Sequence, residues 1–189
     1  MTTLPINPRY NKPAISWSDL VAIEASVDRW LNKKPVSTPA MRYGTHIHAL
    51  CERGLLDVPR LGNPEQTFTA EIPAGKGKQT FLAVGKIDDH DEDTIIDYKT
   101  CRTIWTQKKA EQHDQLKAYA MLLWKTTGKL PTKGVIIALQ TAWDEDSESP
   151  VLTGKQAILE VPIVLTDVLK VQARFQRGYK KVVDYLNNK

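Results

Sequence analysis

The sequence predicts a single α/β domain in which a mixed central sheet is flanked by helices. The first observation is size, since 189 residues with 41% hydrophobic content can form one domain with its own core. The second is a set of short central segments that alternate apolar and polar residues as half-buried strands do. The third is an almost entirely apolar run at 134–139, typical of a strand covered on both faces. We therefore expect residues 1–189 to form one domain.

The chain is expected to begin with an irregular arm at residues 1–14, followed by two helices. The first helix starts at Ser16 or Ser18, both candidate N-caps, and runs to about residue 31. The second helix covers about 39–54 and ends at a glycine C-cap. Apolar residues at helical spacing turn one face of each helix toward the core.

Strands and two further helices account for the rest of the chain. The strands are predicted at 67–72, 80–87, 94–100, 134–139 and 157–164, and the helices at 108–127 and 165–186. The last helix is expected to be capped by Thr166 or Asp167. Between these elements we expect a hairpin turn at 75–78, a largely solvated acidic turn at 88–93 and an acidic loop at 141–150.

The composition excludes several classes of protein. With 26 basic and 22 acidic residues the formal net charge is +4, which suits a polyanionic partner without requiring one. No apolar run is long enough to cross a bilayer, and residues 1–12 lack the apolar segment of a signal peptide. We therefore expect a cytoplasmic protein without membrane contact. Cys51 and Cys101 are far apart, which favours reduced thiols packed as small hydrophobic residues.

Two aspartates and a lysine form the candidate catalytic centre. Side chains alternate along a strand, so Asp97 and Lys99 emerge on the same face of the strand at 94–100. Asp88 ends the preceding strand. If the two strands form a hairpin, the aspartates can share a Mg²⁺ or Mn²⁺ ion while the amine orients the attacking water. A surface salt bridge is the alternative that this short pattern leaves open.

The second helix and the long helix at 108–127 add polar side chains to this centre. His48 and Glu52 are four residues apart and share one face of the second helix, where they can complete a metal site. Gln115 and Tyr119 share a face of the long helix in the same way, and both can hydrogen-bond phosphate or base groups. The alternative is a partly buried histidine with ordinary surface residues around it.

Taken in order, these patterns resemble those of RecB/Cas4-type nucleases of the PD-(D/E)XK superfamily. The patterns are Gly44-x-x-x-His48, Gly85-x-x-Asp88, Asp97-x-Lys99 and Gln115-x-x-x-Tyr119, and they fall within about residues 16–140. The predicted order of helix, three strands, helix and strand also agrees with the core of that family. The resemblance implies a restriction-endonuclease-like fold.

The resemblance also implies a role for each residue. A Mg²⁺ or Mn²⁺ ion would be held by His48, Asp88, Asp97 and the backbone carbonyl of Tyr98. We expect the three side-chain ligands to converge around one ion. Lys99 would position the nucleophilic water, and Glu52 would assist, with a second metal as one role. Gln115 and Tyr119 would hold the nucleic-acid strand. Three basic residues near them are further candidates for DNA contact: Lys108, Lys109 and Lys117.

The chain departs from Cas4-like relatives in its cysteines. Those relatives carry four cysteines around an iron–sulfur cluster, but Ser26 stands where the first would fall, so we expect no cluster. The segment 75–78 contains glycine and lysine but is too short for a nucleotide-binding loop. We therefore expect no ATP site.

The leading interpretation is a stand-alone DNA exonuclease that acts on DNA ends in recombination, repair or viral DNA metabolism. An endonuclease on the same core and an RNA substrate stay open, because the motifs address phosphate rather than sugar. A recombination partner protein and a homo-oligomer are compatible with this interpretation. The alternative from another class is a nuclease-like module that binds DNA or a partner without cutting it.

Overall fold

A computed structural model describes residues 4–75 and 79–189 and confirms the α/β class with flanking helices. The strands are β1 (Ile6–Asn7), β2 (Lys12–Ser16), β3 (Gln66–Pro73), β4 (Thr80–Ile87), β5 (Asp89–His90), β6 (Thr94–Cys101), β7 (Lys133–Asp144) and β8 (Ser149–Pro162). The helices are α1 (Trp17–Ala25), α2 (Val27–Leu31), α3 (Pro39–Glu52), α4 (Gln107–Glu111), α5 (Gln115–Thr127) and α6 (Leu165–Asn187). Residues 76–78 of the predicted hairpin turn lie outside the described part.

The strands form two mixed sheets where the sequence predicted one. Their orders are β1-β2-β4-β3 and β5-β6-β7-β8. In the first sheet β2 runs parallel to β4, and β3 runs antiparallel to it. In the second, β6 and β7 are parallel and joined by a crossover through α4 and α5, while β8 returns antiparallel to β7. The chain passes from one sheet to the other at Asp88, between β4 and β5.

Helix α5 lies against strands of both sheets and builds the main core. Two glycines allow the close approach. A Cβ atom at Gly85 would lie 2.5 Å from Leu122 Cδ1, and one at Gly134 would lie 2.8 Å from Leu116 Cδ1. A larger residue at either position would force the side chains of Leu122 or Leu116 out of their places in the core under α5. The glycines therefore hold α5 where its first turn can reach β6.

Helix α3 covers the opposite face of the second sheet. Ile47 and Cys51 of α3 pack with Ile96 and Tyr98 of β6 in a second apolar cluster. Since β7 contributes to this cluster and also to the core under α5, the apolar run at 134–139 is covered on both faces as predicted. The helix thus presents its polar face along the end of β6.

The prediction of an irregular arm at residues 1–14 was wrong at residues 6–7 and 12–14, which form strands. Strand β2 adds to the first sheet with Ala14 opposite Leu82 of β4, and Ile15 is fully buried. Strand β1 pairs antiparallel with β2. This short segment shows little alternation of its own, so the strand forms because β4 offers it a free edge.

Two predicted helices are each divided in the structure. Ser26 separates α1 from α2, since it adopts an extended conformation (φ −165°, ψ 118°) and its hydroxyl accepts the Arg29 N–H. Such a serine competes with continuation of the helix. Helices α4 and α5 separate before Asp114, whose carboxylate binds Lys117 and Arg174. A long-range ion pair therefore marks the second break.

The end of the chain differs from the prediction in two places. The segment 141–150 is the tip of a β7–β8 hairpin, in which Thr141 stands opposite Leu152. Helix α6 has Val164 at its N-cap position without a side-chain cap, so the predicted cap at residues 166–167 was wrong. Among the helices of the described residues, α6 included, none is long and apolar enough to cross a bilayer.

The acidic segment 88–93 is solvated only in its second half. Asp89 is 2% exposed, and its carboxylate accepts the backbone N–H groups of Leu61 at 2.7 Å and Asn63 at 2.9 Å. It thereby fastens the loop after α3 to the edge of the second sheet. The prediction of a largely solvated turn was wrong here because those donors come from a distant loop.

Candidate functional site

Asp88 lies where the chain crosses between the sheets. Strand β5 pairs with β6 over two residues, with Asp89 opposite Ile96. One step further on, Asp88 Oδ2 accepts the backbone N–H of Tyr98 at 2.8 Å. The Asp88 carboxylate thus accepts the hydrogen bond that a backbone carbonyl would accept if the pairing of β5 with β6 continued. The hairpin considered from the sequence therefore joins β5, and not β4, to β6.

The backbone of Tyr98 faces the same edge of the strand. In an extended strand the N–H and C=O of one residue point to the same side, so the Tyr98 carbonyl also faces the Asp88 edge. The ring packs edge-on against His48 with centroids 6.2 Å apart, and its hydroxyl donates to the Pro59 carbonyl at 3.1 Å. These contacts hold the strand in register beside Asp88.

Asp97 and Lys99 form a buried ion pair on one face of β6. The ammonium lies 3.0 Å from Asp97 Oδ1 and 2.8 Å from Oδ2, and the Asp97 side chain is 1% exposed. Burial is the main cause that raises the pKa of Asp97 to about 6; the Lys99 charge opposes the rise and the Asp88 carboxylate adds to it. Oδ2 is buried, and although the Lys99 ammonium lies close to it, it accepts no well-directed hydrogen bond from the described residues. The pair is therefore no ordinary surface salt bridge.

His48 points from α3 toward Asp88. Its Nδ1 lies 3.4 Å from Asp88 Oδ2. Burial acts to lower the pKa of His48, but the hydrogen bond and charge of Asp88, with Asp97 behind it, outweigh burial and raise the pKa. His48 and the two aspartates therefore form one electrostatic unit.

Glu52, one turn further along α3, belongs to a second group in the same cleft. It shares a hydrogen bond with Glu65, and Glu65 in turn forms an ion pair with Lys86. Burial, with the hydrogen bond and charge of Glu65, raises the pKa of Glu52 to about 7. Glu65 keeps a lowered pKa because it accepts from Glu52 and Lys86. Of the two carboxylates, Glu52 is therefore the one that takes up a proton first.

Together with His48 and Asp88, the second group lines an open cleft of about 810 Å³ between α3 and the strand ends. Glu65 and Lys86 were not predicted from the sequence. A signal existed for Lys86, which stands two residues before Asp88 in the chain. No local pattern marks Glu65; it reaches the cleft because its N–H donates to the Asp88 carbonyl at 2.8 Å and its φ is +31°.

Gln115 and Tyr119 lie behind Lys99 instead of in the open cleft. Gln115 Oε1 accepts from Lys99 Nζ at 3.1 Å, and its Nε2 donates to the hydroxyl of Tyr119, which is buried. His113, also missed from the sequence, contacts the same Oε1 at 3.0 Å. Burial is the main cause that lowers the pKa of His113, and the Lys99 charge lowers it further. In this arrangement the group orients the lysine.

The three lysines predicted to contact DNA differ in their surroundings. Lys117 is 13% exposed and is bound to Asp114 at 2.7 Å and to the Glu111 carbonyl at 3.0 Å, so we assign it a structural role. Lys109 lies over the Trp105 ring at 4.1 Å. Lys108 is exposed on α4. Only the last two are placed to meet a phosphate.

The oxygen atoms of Asp88, Asp97 and the Tyr98 carbonyl are donors that suit a small divalent cation. Within residues 4–75 and 79–189, no group of three or more His, Cys, Asp or Glu side chains is arranged to hold a metal, so the expected convergence of His48, Asp88 and Asp97 is not met. Mg²⁺, however, usually takes one or two carboxylates and keeps several waters. The buried Asp97 Oδ2, which has no well-directed hydrogen bond, is an oxygen that could turn to such a cation. The two carboxylates and the Tyr98 carbonyl are thus donors of the kind that Mg²⁺ or Mn²⁺ takes, although the described residues do not converge around one point.

Comparison with known proteins gives a family and a fold. The model of the PD-(D/E)XK nuclease superfamily matches residues 22–184. The crystal structure of SSO0001 is similar with 17% identity over 88% of this chain and 75% of that chain, at a TM-score of 0.53. A phage-related exonuclease from Haemophilus somnus 129PT is similar with 13% identity over 89% of this chain and 82% of its own, at a TM-score of 0.52. At these identities the likeness bears on the fold alone. A search of curated proteins found no match.

Proposed function

We propose, since this chain belongs to the PD-(D/E)XK nuclease superfamily, that it is a metal-dependent deoxyribonuclease acting on DNA ends. The observation that carries the proposal is the buried pair of Asp97 and Lys99 beside Asp88. Burying such charges costs several kcal/mol per ion unless they are well compensated, and a cluster left partly uncompensated marks a functional site.

The metal would be held by Asp88, Asp97 and the Tyr98 carbonyl, with His48 as a further ligand once it releases Asp88. A divalent cation bound there supplies a Lewis acid for the scissile phosphate and makes a bound water more acidic.

Lys99 is the residue that meets the reacting atoms. Asp97 and Gln115 hold its ammonium from two sides, which leaves the third proton available to the water or the phosphate oxygen. The water oxygen forms a bond to phosphorus while the bond to the leaving oxygen breaks, and negative charge grows on the phosphate oxygens. A fixed cationic donor stabilises that charge. Glu52, with a pKa of about 7, is suited to exchange the released proton.

DNA would approach through the open cleft beside α3. Lys108 and Lys109 are the remaining candidates for phosphate contact from the original set, and Gln115 with Tyr119 acts on the strand through Lys99. The RecB/Cas4-type subtype rests on the order of the four motifs. From this subtype we also propose an exonuclease that acts in recombination, repair or viral DNA metabolism. We further propose a single domain over residues 1–189 and a cytoplasmic location. A recombination partner protein and a homo-oligomer belong to the same proposal.

A non-catalytic DNA-binding or partner-binding module is the competing function. Asp97 argues against it. If this residue served only the fold, an amide here would stabilise the folded protein more than a carboxylate whose pKa is raised by burial.

The proposal is tested on linear and circular DNA, single- and double-stranded, with Mg²⁺ or Mn²⁺. Lys99→Ala is expected to reduce cleavage by about 100-fold or more. Lys155→Ala, which removes an exposed lysine of β8, serves as the matched control and should cut like the wild type. No cleavage of any substrate by the wild type, or equal cleavage by Lys99→Ala, overturns the assignment. Preference for linear over circular DNA supports the exonuclease.

A further inference from the structure

A second, smaller cavity adjoins the cleft that holds Asp88 and His48. It has a volume of about 130 Å³, and Ala40 and Thr100 line both spaces. The two openings therefore meet at the end of β6. Thr100 directly follows Lys99, so the second cavity begins one residue beyond the proposed catalytic lysine.

The wall of this cavity carries aromatic and basic side chains. Trp143 lines it from β7 and is 48% exposed, which is unusual for a tryptophan on a paired strand. Tyr43 of α3 lines it from the other side, and exposed Arg102 stands at its edge. Flat aromatic rings next to a guanidinium are what proteins use to stack the bases of single-stranded nucleic acid.

The hairpin that carries Trp143 is held in place. Strand β6 ends at Cys101, opposite Gln140, so the rest of the β7–β8 hairpin projects beyond it. Gln140 Nε2 donates to the Arg102 carbonyl at 3.0 Å and its Oε1 accepts from Thr153 at 3.0 Å, which ties the base of the hairpin to the sheet. Trp143 is therefore presented from a fixed position and not from a free loop.

The distance from the catalytic centre suits a neighbouring nucleotide. At about 3.3 Å per residue, Cys101 lies about 7 Å beyond Lys99 along β6. Because Cys101 lines the cavity, the cavity lies about this far from the proposed catalytic lysine, as a neighbouring nucleotide of the strand would.

The tip of the hairpin carries negative charge directly after Trp143. Residues 144–148 include Asp144, Glu145, Asp146 and Glu148. A phosphate backbone passing over this tip would meet four carboxylates, which disfavours its continuation past the cavity. The cavity therefore opens toward Asp88, and the negative charge beyond Trp143 disfavours a phosphate on that side.

We propose that this cavity binds the terminal base of the DNA strand being cut, with the base stacked on Trp143 and its phosphate near Arg102. The acidic tip prevents the strand from extending further, so the site selects an end. This inference rests on the proposed function, since it specifies how the same site recognises its substrate. Trp143 is then a specificity-determining residue outside the reacting group.

The test measures binding of short single-stranded oligonucleotides by fluorescence anisotropy in a chelator, so that no strand is cut. Each oligonucleotide is prepared complete and with an abasic nucleotide at the 5′ or the 3′ terminus. For the wild type, loss of the terminal base at one end should weaken binding by about 5- to 150-fold, the range that one base–aromatic stack provides. Trp143→Ala should bind the complete oligonucleotide with the same loss and show no further loss with the abasic one.

Two matched variants complete the design. Trp143→Phe keeps an aromatic face and should retain the response to the terminal base. Ile158→Ala removes an equally exposed apolar residue of β8 and should behave like the wild type. Glu145→Gln combined with Asp146→Asn should raise affinity for circular single-stranded DNA relative to linear DNA.

The outcomes separate this inference from the proposed function. If the wild type binds DNA but ignores the terminal base, or if Trp143→Ala behaves like Ile158→Ala, the terminal-base site is wrong while cleavage stands on its own assay. If the base-dependent binding is found and no metal supports cleavage, the binding site stands and the nuclease proposal fails. Absence of any DNA binding overturns the terminal-base site, while the cleavage assay with metal decides the nuclease proposal.

Discussion

The carboxylate of Asp88 accepts a hydrogen bond of 2.8 Å from the backbone N–H of Tyr98. A side chain proposed to hold a metal thus also completes the hydrogen bonding of the strand that carries the other proposed ligand. Function and local stability are joined in one residue, and substitutions can separate them.

Replacement of Asp88 should show two distinct effects. Asp88→Ala leaves the buried Tyr98 N–H without an acceptor and should lower the free energy of unfolding by about 1–3 kcal/mol. Asp88→Asn keeps an acceptor oxygen and should cost clearly less, while both variants lose cleavage. Urea unfolding and a nuclease assay on the same preparations check this. Equal destabilisation by both substitutions would show that the hydrogen bond contributes little.

Asp97→Asn should stabilise the metal-free protein. Burial raises the pKa of Asp97 from 3.8 to about 6, so the folded protein keeps the proton to a higher pH than the unfolded chain does. Stability is therefore lost as the pH rises through this interval, and the penalty is complete above pH 6. The amide removes it, with an expected gain on the order of 1–2 kcal/mol at pH 7 and almost none at pH 4.

Thermal unfolding in chelator at both pH values measures this gain. Asp57→Asn, at an exposed position, is the control and should show no such difference. A stabilised variant that has lost cleavage identifies Asp97 as a residue retained for activity at the expense of stability. If Asp97→Asn is less stable than the wild type at pH 7, the ion pair with Lys99 outweighs the cost of burial.

Gln115→Ala should lower kcat about 10-fold and leave the KM for DNA nearly unchanged. The reason is that Gln115 Oε1 holds Lys99 Nζ at 3.1 Å, so its loss frees the ammonium to take other positions. Tyr119→Phe, which removes the acceptor of the Gln115 amide, should have a smaller effect in the same direction. Steady-state kinetics measure kcat and KM separately, with Gln156→Ala at an exposed position as the control. A raised KM at unchanged kcat would instead support the direct DNA contact predicted from the sequence.

Asp19→Asn should destabilise the fold at neutral pH and much less in acid. Burial acts to raise the pKa of Asp19, but hydrogen bonds from Lys33, Trp30 and Ser16 outweigh it and lower the pKa below 3.8. The stabilisation is therefore complete above about pH 4 and is lost as the pH falls below it. Asp19 forms a capping box with Ser16, the N-cap of α1, so at pH 7 the loss should be about 1 kcal/mol.

Urea unfolding at pH 7 and pH 3 measures this difference. Asp184→Asn, at an exposed position of α6, should change neither value. A loss that is equal at both pH values would assign the effect to packing around Trp30 and not to the charge of Asp19.

The local sequence pattern was sufficient to predict which side chains share a face, because neighbours along the chain decide this. The period of two in β6 puts Asp97 and Lys99 on one face, and the period of 3.6 in α3 does the same for His48 and Glu52. Both relationships hold in the structure, where the first pair is in contact and the second lines one cleft.

Long-range contacts decided the features that local pattern missed. Strand β2 exists because β4 leaves an edge open, and the break before α5 follows from the ion pair of Asp114 with Arg174, 60 residues away. Glu65 enters the cleft through backbone bonds to a different strand. The orientation of Gln115 toward Lys99 depends on how closely Gly85 lets α5 approach β4.

The sequence by itself determined the α/β class, the pairing of Asp97 with Lys99 on one face of β6 and of His48 with Glu52 on one face of α3, and the order in which the motifs occur. These depend on periodicity and composition, which the chain carries locally. Only the tertiary structure decided that Asp88 closes the hydrogen bonding of Tyr98, that Gln115 holds Lys99 and that Trp143 stands beside the cleft. Each of these needs two or more segments distant along the chain to be brought within a few ångströms, and packing of α5 and α3 on opposite faces of the second sheet does this.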